Sequence, residues 1–268
     1  MSLEPPTPVS PRRTPASLKE MKQRTEKIAV LTAYDYPTAR LLEESGIDML
    51  LVGDSVGMVV LGYPDTTHVT IDEMVHHTRA AARGTTRALV VADLPFATYT
   101  MPKQAVVNAR RLMEAGAQAV KLEGGRDQRE QIQAIVAEGI PVMAHLGMLP
   151  QSVKIEGGYK IKGKTPGEAE KLLDDANAIQ EAGAFAVVLE LVKSDVAAQI
   201  TTLLAIPTIG IGSGSDCDGQ VLVSHDLIGL FPWFTPKFVK SHGNVAEQIR
   251  ASASAFIAET KRPGSPSA

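Results

Sequence analysis

The sequence predicts an α/β protein folded as a single-domain (β/α)8 TIM barrel, and three observations point to it. Short runs of apolar residues recur along the chain, apolar throughout instead of alternating, as in parallel strands covered on both faces. Segments of helical period separate them. The runs begin at residues 28, 49, 88, 119, 140, 185, 207 and 237, a spacing of about 30 residues, the size of one βα repeat. A doubly wound open sheet is the alternative. It would place Gly-x-Gly-x-x-Gly after the first run, and none stands there.

Taken in order, the predicted strands are Ile28 to Leu31, Met49 to Val52, Ala88 to Val91, Ala119 to Leu122, Ile140 to Met143, Phe185 to Leu189, Pro207 to Ile211 and Lys237 to Lys240. Two helices are bounded most sharply: Met101 to Glu114, closed by Gly116, and Pro166 to Glu181, closed by Gly183. Proline near a helix start and glycine just past its end is the expected asymmetry. Three segments rhyme, at Glu44-Ser-Gly46, Glu114-Ala-Gly116 and Glu181-Ala-Gly183, each ending a helix and leading into a strand. Residues 1–16 hold five prolines and few large apolar side chains, so they read as a disordered leader. The barrel is expected over 17–260 and a flexible tail over 261–268.

Composition narrows the function. Of 268 residues 44% are hydrophobic and 4% aromatic, so aliphatic side chains must fill the core. The charge of −3, from 27 basic and 30 acidic residues, offers no basic footprint for nucleic acid. No stretch reaches the roughly 18 apolar residues of a membrane span, and the one cysteine, Cys217, points to a reducing compartment. A soluble cytoplasmic protein with small-molecule partners is expected.

In a barrel the carboxyl ends of the strands converge on one face, so the residues there belong together. They are Asp35, Asp54-Ser55, Asp93, Glu123, His145 and Glu190. An aspartate between strand and helix is commonly an N-cap, but carboxylates from neighbouring strands repel unless a cation joins them. The two readings are a hydrogen-bonding ring and a hard-cation site, for which oxygen donors favour Mg2+ and then Mn2+. Lys121 and Glu123 are two apart on one strand and share a face, towards the barrel interior. Lys121 is either a structural ion-pair partner or a cation for a carboxylate or developing enolate. His145 is either a core histidine or a substrate hydrogen-bond donor. Glu190, a lone charge among aliphatics, has the setting of a general base, the alternative being a solvated strand end. The glycine-rich loop from Gly210 to Gly219 lies where many barrels bind phosphate. Cys217 reads as packing, His225-Asp226 as helical, and His76-His77 as mainly surface.

Several motifs in this order resemble the 3-methyl-2-oxobutanoate (ketopantoate) hydroxymethyltransferase family. They include Leu31-Thr-Ala-Tyr-Asp35, Gly53-Asp-Ser-Val-Gly-Met58, Ala92-Asp-Leu-Pro-Phe96, Val120-Lys-Leu-Glu-Gly-Gly125, His145-Leu-Gly147, Gly157-Gly-Tyr159, and Asp218-Gly-Gln220. The resemblance implies a phosphoenolpyruvate/pyruvate-type barrel that transfers a hydroxymethyl group from 5,10-methylenetetrahydrofolate to 3-methyl-2-oxobutanoate. The product would be 2-dehydropantoate, formed through a Mg-stabilised enolate. It implies Asp54 and Asp93 as Mg2+ ligands, with Glu123 completing the site directly or through water. Asp54, Ser55, Asp93 and Lys121 would contact the 2-oxo acid, joined by His145, and Glu190 would accept the proton. A homo-oligomer, commonly a decamer, is implied as well. Three positions depart from the usual pattern: Leu149, Lys162 and Leu191-Val-Lys193. A Mg-dependent 2-oxo acid C–C lyase of the same barrel class is the alternative activity, and a non-catalytic barrel the alternative without one.

Overall fold

The computed structural model describes residues 11–262, in which eight strands close into a barrel in chain order. The strands are β1 Ile28–Thr32, β2 Met49–Val52, β3 Leu89–Asp93, β4 Ala119–Glu123, β5 Val142–Gly147, β6 Ala186–Glu190, β7 Thr208–Ile211 and β8 Gly219–Leu222. Between and around them lie α1 Pro15–Gln23, α2 Tyr36–Glu44, α3 Val56–Val59, α4 Ile71–Arg83, α5 Pro102–Glu114, α6 Arg129–Ala137, α7 Val153–Glu156, α8 Pro166–Glu181, α9 Ser194–Leu203, α10 Ser224–Leu227 and α11 Val245–Thr260. Closure removes the open-sheet alternative.

Strand parity divides the core into two layers. Val30, Met49, Leu51, Leu89, Val91, Ala119, Met143, Val188 and Ile209 form one buried cluster inside the barrel. Their sequence neighbours, such as Leu50, Val90, Val120, Val142, Val187 and Leu189, belong to the second cluster, which takes in residues of the surrounding helices. The predicted helix ends fall where expected. Gly46, Gly116 and Gly183 adopt φ of 86°, 108° and 98°, the left-handed position just past α2, α5 and α8 that glycine takes without steric cost.

The eighth strand corrects the sequence reading. Lys237 to Lys240 form no strand, and Phe238 is 39% exposed. The true β8 emerges directly from the glycine-rich segment that follows β7. That segment runs back to the start of β7, where the Asp218 carboxylate accepts from the Thr208 N–H at 2.8 Å and from its hydroxyl at 3.0 Å. A Cβ on Gly219 would collide with the Ile28 carbonyl, so glycine is what lets β8 lie against β1. Cys217 is fully buried, and burial pushes its thiol up, in keeping with a packing role.

Helix α1 reaches into the expected leader. Thr14 and Ser17 form a capping box that starts the helix at Pro15, and Leu18 and Met21 join the cluster inside the barrel. Lys22 Nζ then donates to Asp218 at 2.7 Å and to the Thr201 carbonyl at 2.8 Å. Residues 1–10 of the leader and 263–268 of the tail lie outside the described residues. Compactness divides the chain between Val221 and Leu222, inside the span expected as one domain. In the second unit, α10 and the start of α11 are tied by backbone bonds from His242 to Leu227 at 2.7 Å and from Val245 to Ile228 at 3.0 Å.

Candidate active site

Parity also places the chemistry. Asp93 follows Leu89 and Val91 on the inner face, Lys121 and Glu123 follow Ala119, His145 follows Met143, and Glu190 follows Val188. Registers pair Asp93 with Lys121, Glu123 with His145, and Gly147 with Glu190 across β3 to β6. Polar side chains thus continue the apolar interior upward to its carboxyl-terminal mouth.

The seven predicted site residues sit there: Asp54, Asp93, Lys121, Glu123 and His145 are buried, and Ser55 and Glu190 are half-buried. Lys121 Nζ lies 2.8 Å from Asp93 Oδ1, while Asp93 Oδ2 accepts from the Asp54 N–H at 3.0 Å. The Tyr34 and Ser55 hydroxyls are 2.8 Å apart. His145 stands between two glutamates, with Nδ1 3.7 Å from Glu123 Oε1 and Nε2 3.3 Å from Glu190 Oε2. The first contact is too long for a hydrogen bond and the second is misaligned, leaving both ring nitrogens and Glu123 Oε1 buried without a hydrogen-bond partner. Asp35, by contrast, is an N-cap: its carboxylate accepts from the Thr38 N–H at 2.8 Å. His77, expected at the surface, is half-buried, with Nδ1 2.7 Å from the Tyr34 carbonyl.

Burial dominates the electrostatics. Asp54 is pushed up to about 7, first by desolvation and then by the charge of Asp93, against the opposing pull of Lys121. Desolvation and the charge of Asp54 likewise raise Glu123 well above the carboxylate range. For Lys121 burial favours the neutral form, but Asp93, Glu123 and Asp54 outweigh it and hold the ammonium above its ordinary value. His145 is lowered by burial, which keeps the imidazole neutral near pH 7.

Gln151, which sequence reasoning passed over, links these groups. Its Nε2 donates to Asp54 Oδ2 at 2.8 Å and to the Leu94 carbonyl at 3.1 Å. Its backbone N–H donates to Glu123 Oε2 at 3.1 Å, and its Oε1 accepts from the Tyr99 hydroxyl at 2.5 Å. Among the described residues, no three His, Cys, Asp or Glu side chains are already gathered closely enough to hold a metal ion. The partners of Gln151 lie 28 to 97 residues away along the chain, so no local pattern marks it.

Beside the mouth lies a cavity of about 520 Å³ whose walls include Tyr99, Glu123, Leu149, Gln151, Glu156 and Lys162. Two of the departures from the family pattern, Leu149 and Lys162, stand in this wall, and the third is bonded to Lys162. Lys162 pairs with Glu156, its N–H donates to the Leu191 carbonyl at 2.8 Å, and the Lys193 N–H donates to the Lys162 carbonyl at 2.9 Å. Leu191 holds a left-handed φ of 48°, a strained backbone immediately after Glu190.

Fold and site together define a barrel enzyme, with its polar groups at the carboxyl ends of parallel strands. Solved structures with this fold include phosphoenolpyruvate phosphomutase from Streptomyces platensis subsp. rosaceus, at a TM-score of 0.63 and 18% identity over 93% of this chain and 88% of that one. Phosphonopyruvate hydrolase in complex with oxalate and Mg2+ is another, at 0.60 and 14%, covering 92% and 86%. The sequence profile of ketopantoate hydroxymethyltransferase matches residues 12–268, and the chain belongs to that family. Relatives named 3-methyl-2-oxobutanoate hydroxymethyltransferase include one from Acetivibrio thermocellus, 56% identical over 92% of this chain and 88% of the relative. Another, from Syntrophus aciditrophicus, is 54% identical over 92% of each. The chain is therefore a transferase.

Proposed function

We propose that the mouth joins a one-carbon unit from 5,10-methylenetetrahydrofolate to C3 of 3-methyl-2-oxobutanoate, giving 2-dehydropantoate. The observation that carries this reading is the buried row of Asp54, Asp93 and Glu123 with Lys121 as the one paired ammonium. Lys121 faces three carboxylates, two of them raised by burial and mutual repulsion. A divalent cation fits that excess of negative charge, and the all-oxygen donor set suits Mg2+. Asp54 and Asp93 would hold it, with Glu123 and its unpartnered Oε1 completing the set. When bound, the cation would draw electron density from the keto oxygen and so acidify the C3 proton.

The chain's own residues supply the rest. Glu190, across from Gly147 at the strand end, takes the C3 proton as general base. Lys121 meets the negative charge that develops on the substrate oxygen, in a site dry enough for that interaction to count. His145, neutral and set between Glu123 and Glu190, offers one N–H to the substrate, and Ser55 adds a hydroxyl. The adjoining cavity, which shares Glu123 with the mouth, has the volume for the bulkier co-substrate. Family resemblance further supports a cytoplasmic homo-oligomer, expected as a decamer, whose mass light scattering would measure.

The test is proton exchange. With Mg2+ and 3-methyl-2-oxobutanoate in deuterated water, the protein should exchange the C3 proton without the folate. Glu190→Gln should abolish both exchange and product while the substrate still binds. Normal exchange in that variant would remove Glu190 from the base role.

A further inference from the structure

Gln151 lies in the turn after β5, is 4% exposed, and reaches three other segments at once. Its amide has two donors and one strong acceptor, and all are engaged: the donors on Asp54 Oδ2 and the Leu94 carbonyl, the acceptor by the Tyr99 hydroxyl. The orientation is chemically determined. Turning the amide over would aim its oxygen at a carbonyl and a carboxylate, leaving two buried acceptors without a donor. The backbone N–H of the same residue holds Glu123 Oε2. One residue therefore grips one oxygen of Asp54, just past β2, and one of Glu123, at the end of β4, while Glu123 Oε1 is left buried and unpartnered.

We propose that Gln151 is a positioning residue that sets the separation and orientation of the Asp54 and Glu123 carboxylates, so that their remaining oxygens face a common divalent cation. This rests on the proposed cation role of Asp54 and Glu123. Tyr99 acts one step further back: its hydroxyl fixes the Gln151 carbonyl oxygen, and with it the direction of the Nε2 donors. Asp54 and Gln151 are 97 residues apart, so the arrangement exists only when β2 and the turn after β5 are both in place. Outer partners that orient metal-binding side chains change affinity by about 10- to 100-fold when removed.

Binding without turnover tests this. Mn2+ titrated into the full chain without substrate, followed by the electron paramagnetic resonance of the free ion, should show one strong site per chain. Gln151→Met, which keeps the volume and loses the donors, should weaken it at least tenfold with an unchanged circular dichroism spectrum. Tyr99→Phe should weaken it by roughly threefold, as a step further removed. Wild-type affinity in a folded Gln151→Met overturns the proposal; if that variant does not fold, wild-type affinity in Tyr99→Phe overturns it. Failure of the underlying reading looks different: either the unaltered protein binds no Mn2+, or Asp54→Asn binds it undiminished.

Discussion

Lys121 and Asp93 occupy paired positions on β4 and β3 with Nζ and Oδ1 2.8 Å apart, and both residues are less than 5% exposed. A pair this dry is held less by its own attraction than by the cost of leaving either partner alone. The remaining oxygen of Asp93 accepts from the Asp54 N–H, so the pair also anchors the end of β2.

Breaking the pair from one side should therefore be costly. Lys121→Met leaves Asp54, Asp93 and Glu123 without their cation and should lower stability by about 3 kcal/mol in urea unfolding. Adding Asp93→Asn to that variant should recover part of the loss. A double variant that is less stable than the sum of the two single changes would contradict this.

The raised carboxyl of Asp54 gives a pH signature. Its folded value of about 7 exceeds the unfolded value of 3.8, so the native state binds the extra proton between them. The contribution to stability is complete below about pH 4 and is lost as pH rises through 7. Metal-free protein should lose urea resistance between about pH 4 and 7, and Asp54→Asn should flatten that slope. Cation binding, which competes with the same proton, should tighten over the same interval.

Glu43 presents the opposite sign at the other end of the barrel. Burial alone would raise its carboxyl, but the Thr85 hydroxyl and the N–H groups of Ala88, Thr86 and Arg87 outweigh it and hold the group at about 2. Its stabilisation is present above about pH 4.5 and lost as pH falls through 2. Glu43→Gln should cost ~3 kcal/mol at pH 7, visible as a lower thermal midpoint, with kcat unchanged because the site lies at the far end.

Gly147 controls the position of Glu190. At φ 96°, a Cβ added there would strike the Glu190 carbonyl oxygen, which the Met148 N–H holds at 2.8 Å. Gly147→Ala should shift the end of β6 and reduce kcat at least 100-fold, as misplacement by an ångström does. KM should change little, and the circular dichroism spectrum not at all. An unaltered kcat would mean that β6 gives way without moving the carboxylate.

How much of this was legible depends on the distance over which each interaction acts. The alternation of Lys121, Leu122 and Glu123 states which side chains enter the barrel, because strand geometry is local. Gly116 and Gly183 announce helix ends for the same reason. Gln151 and Glu43 carry no local pattern, since their partners lie on other elements. The eighth strand was misplaced because Gly219 and Gln220 have weak strand propensity, whereas Lys237 to Lys240 has an apolar centre but remains in a turn.

The sequence by itself determined the seven apolar runs of β1 to β7, the inward face of β4, the ends of α2, α5 and α8, and the strand-end residues that meet at the mouth. All of these follow from periodicities of two and 3.6 residues along a single chain. Only the tertiary structure decided that β8 closes against Ile28 through a glycine, and that Gln151 spans Asp54 and Glu123. It also decided which carboxyls burial raises. Desolvation and cross-strand hydrogen bonding arise between segments brought together by closure, so no single stretch of sequence contains them.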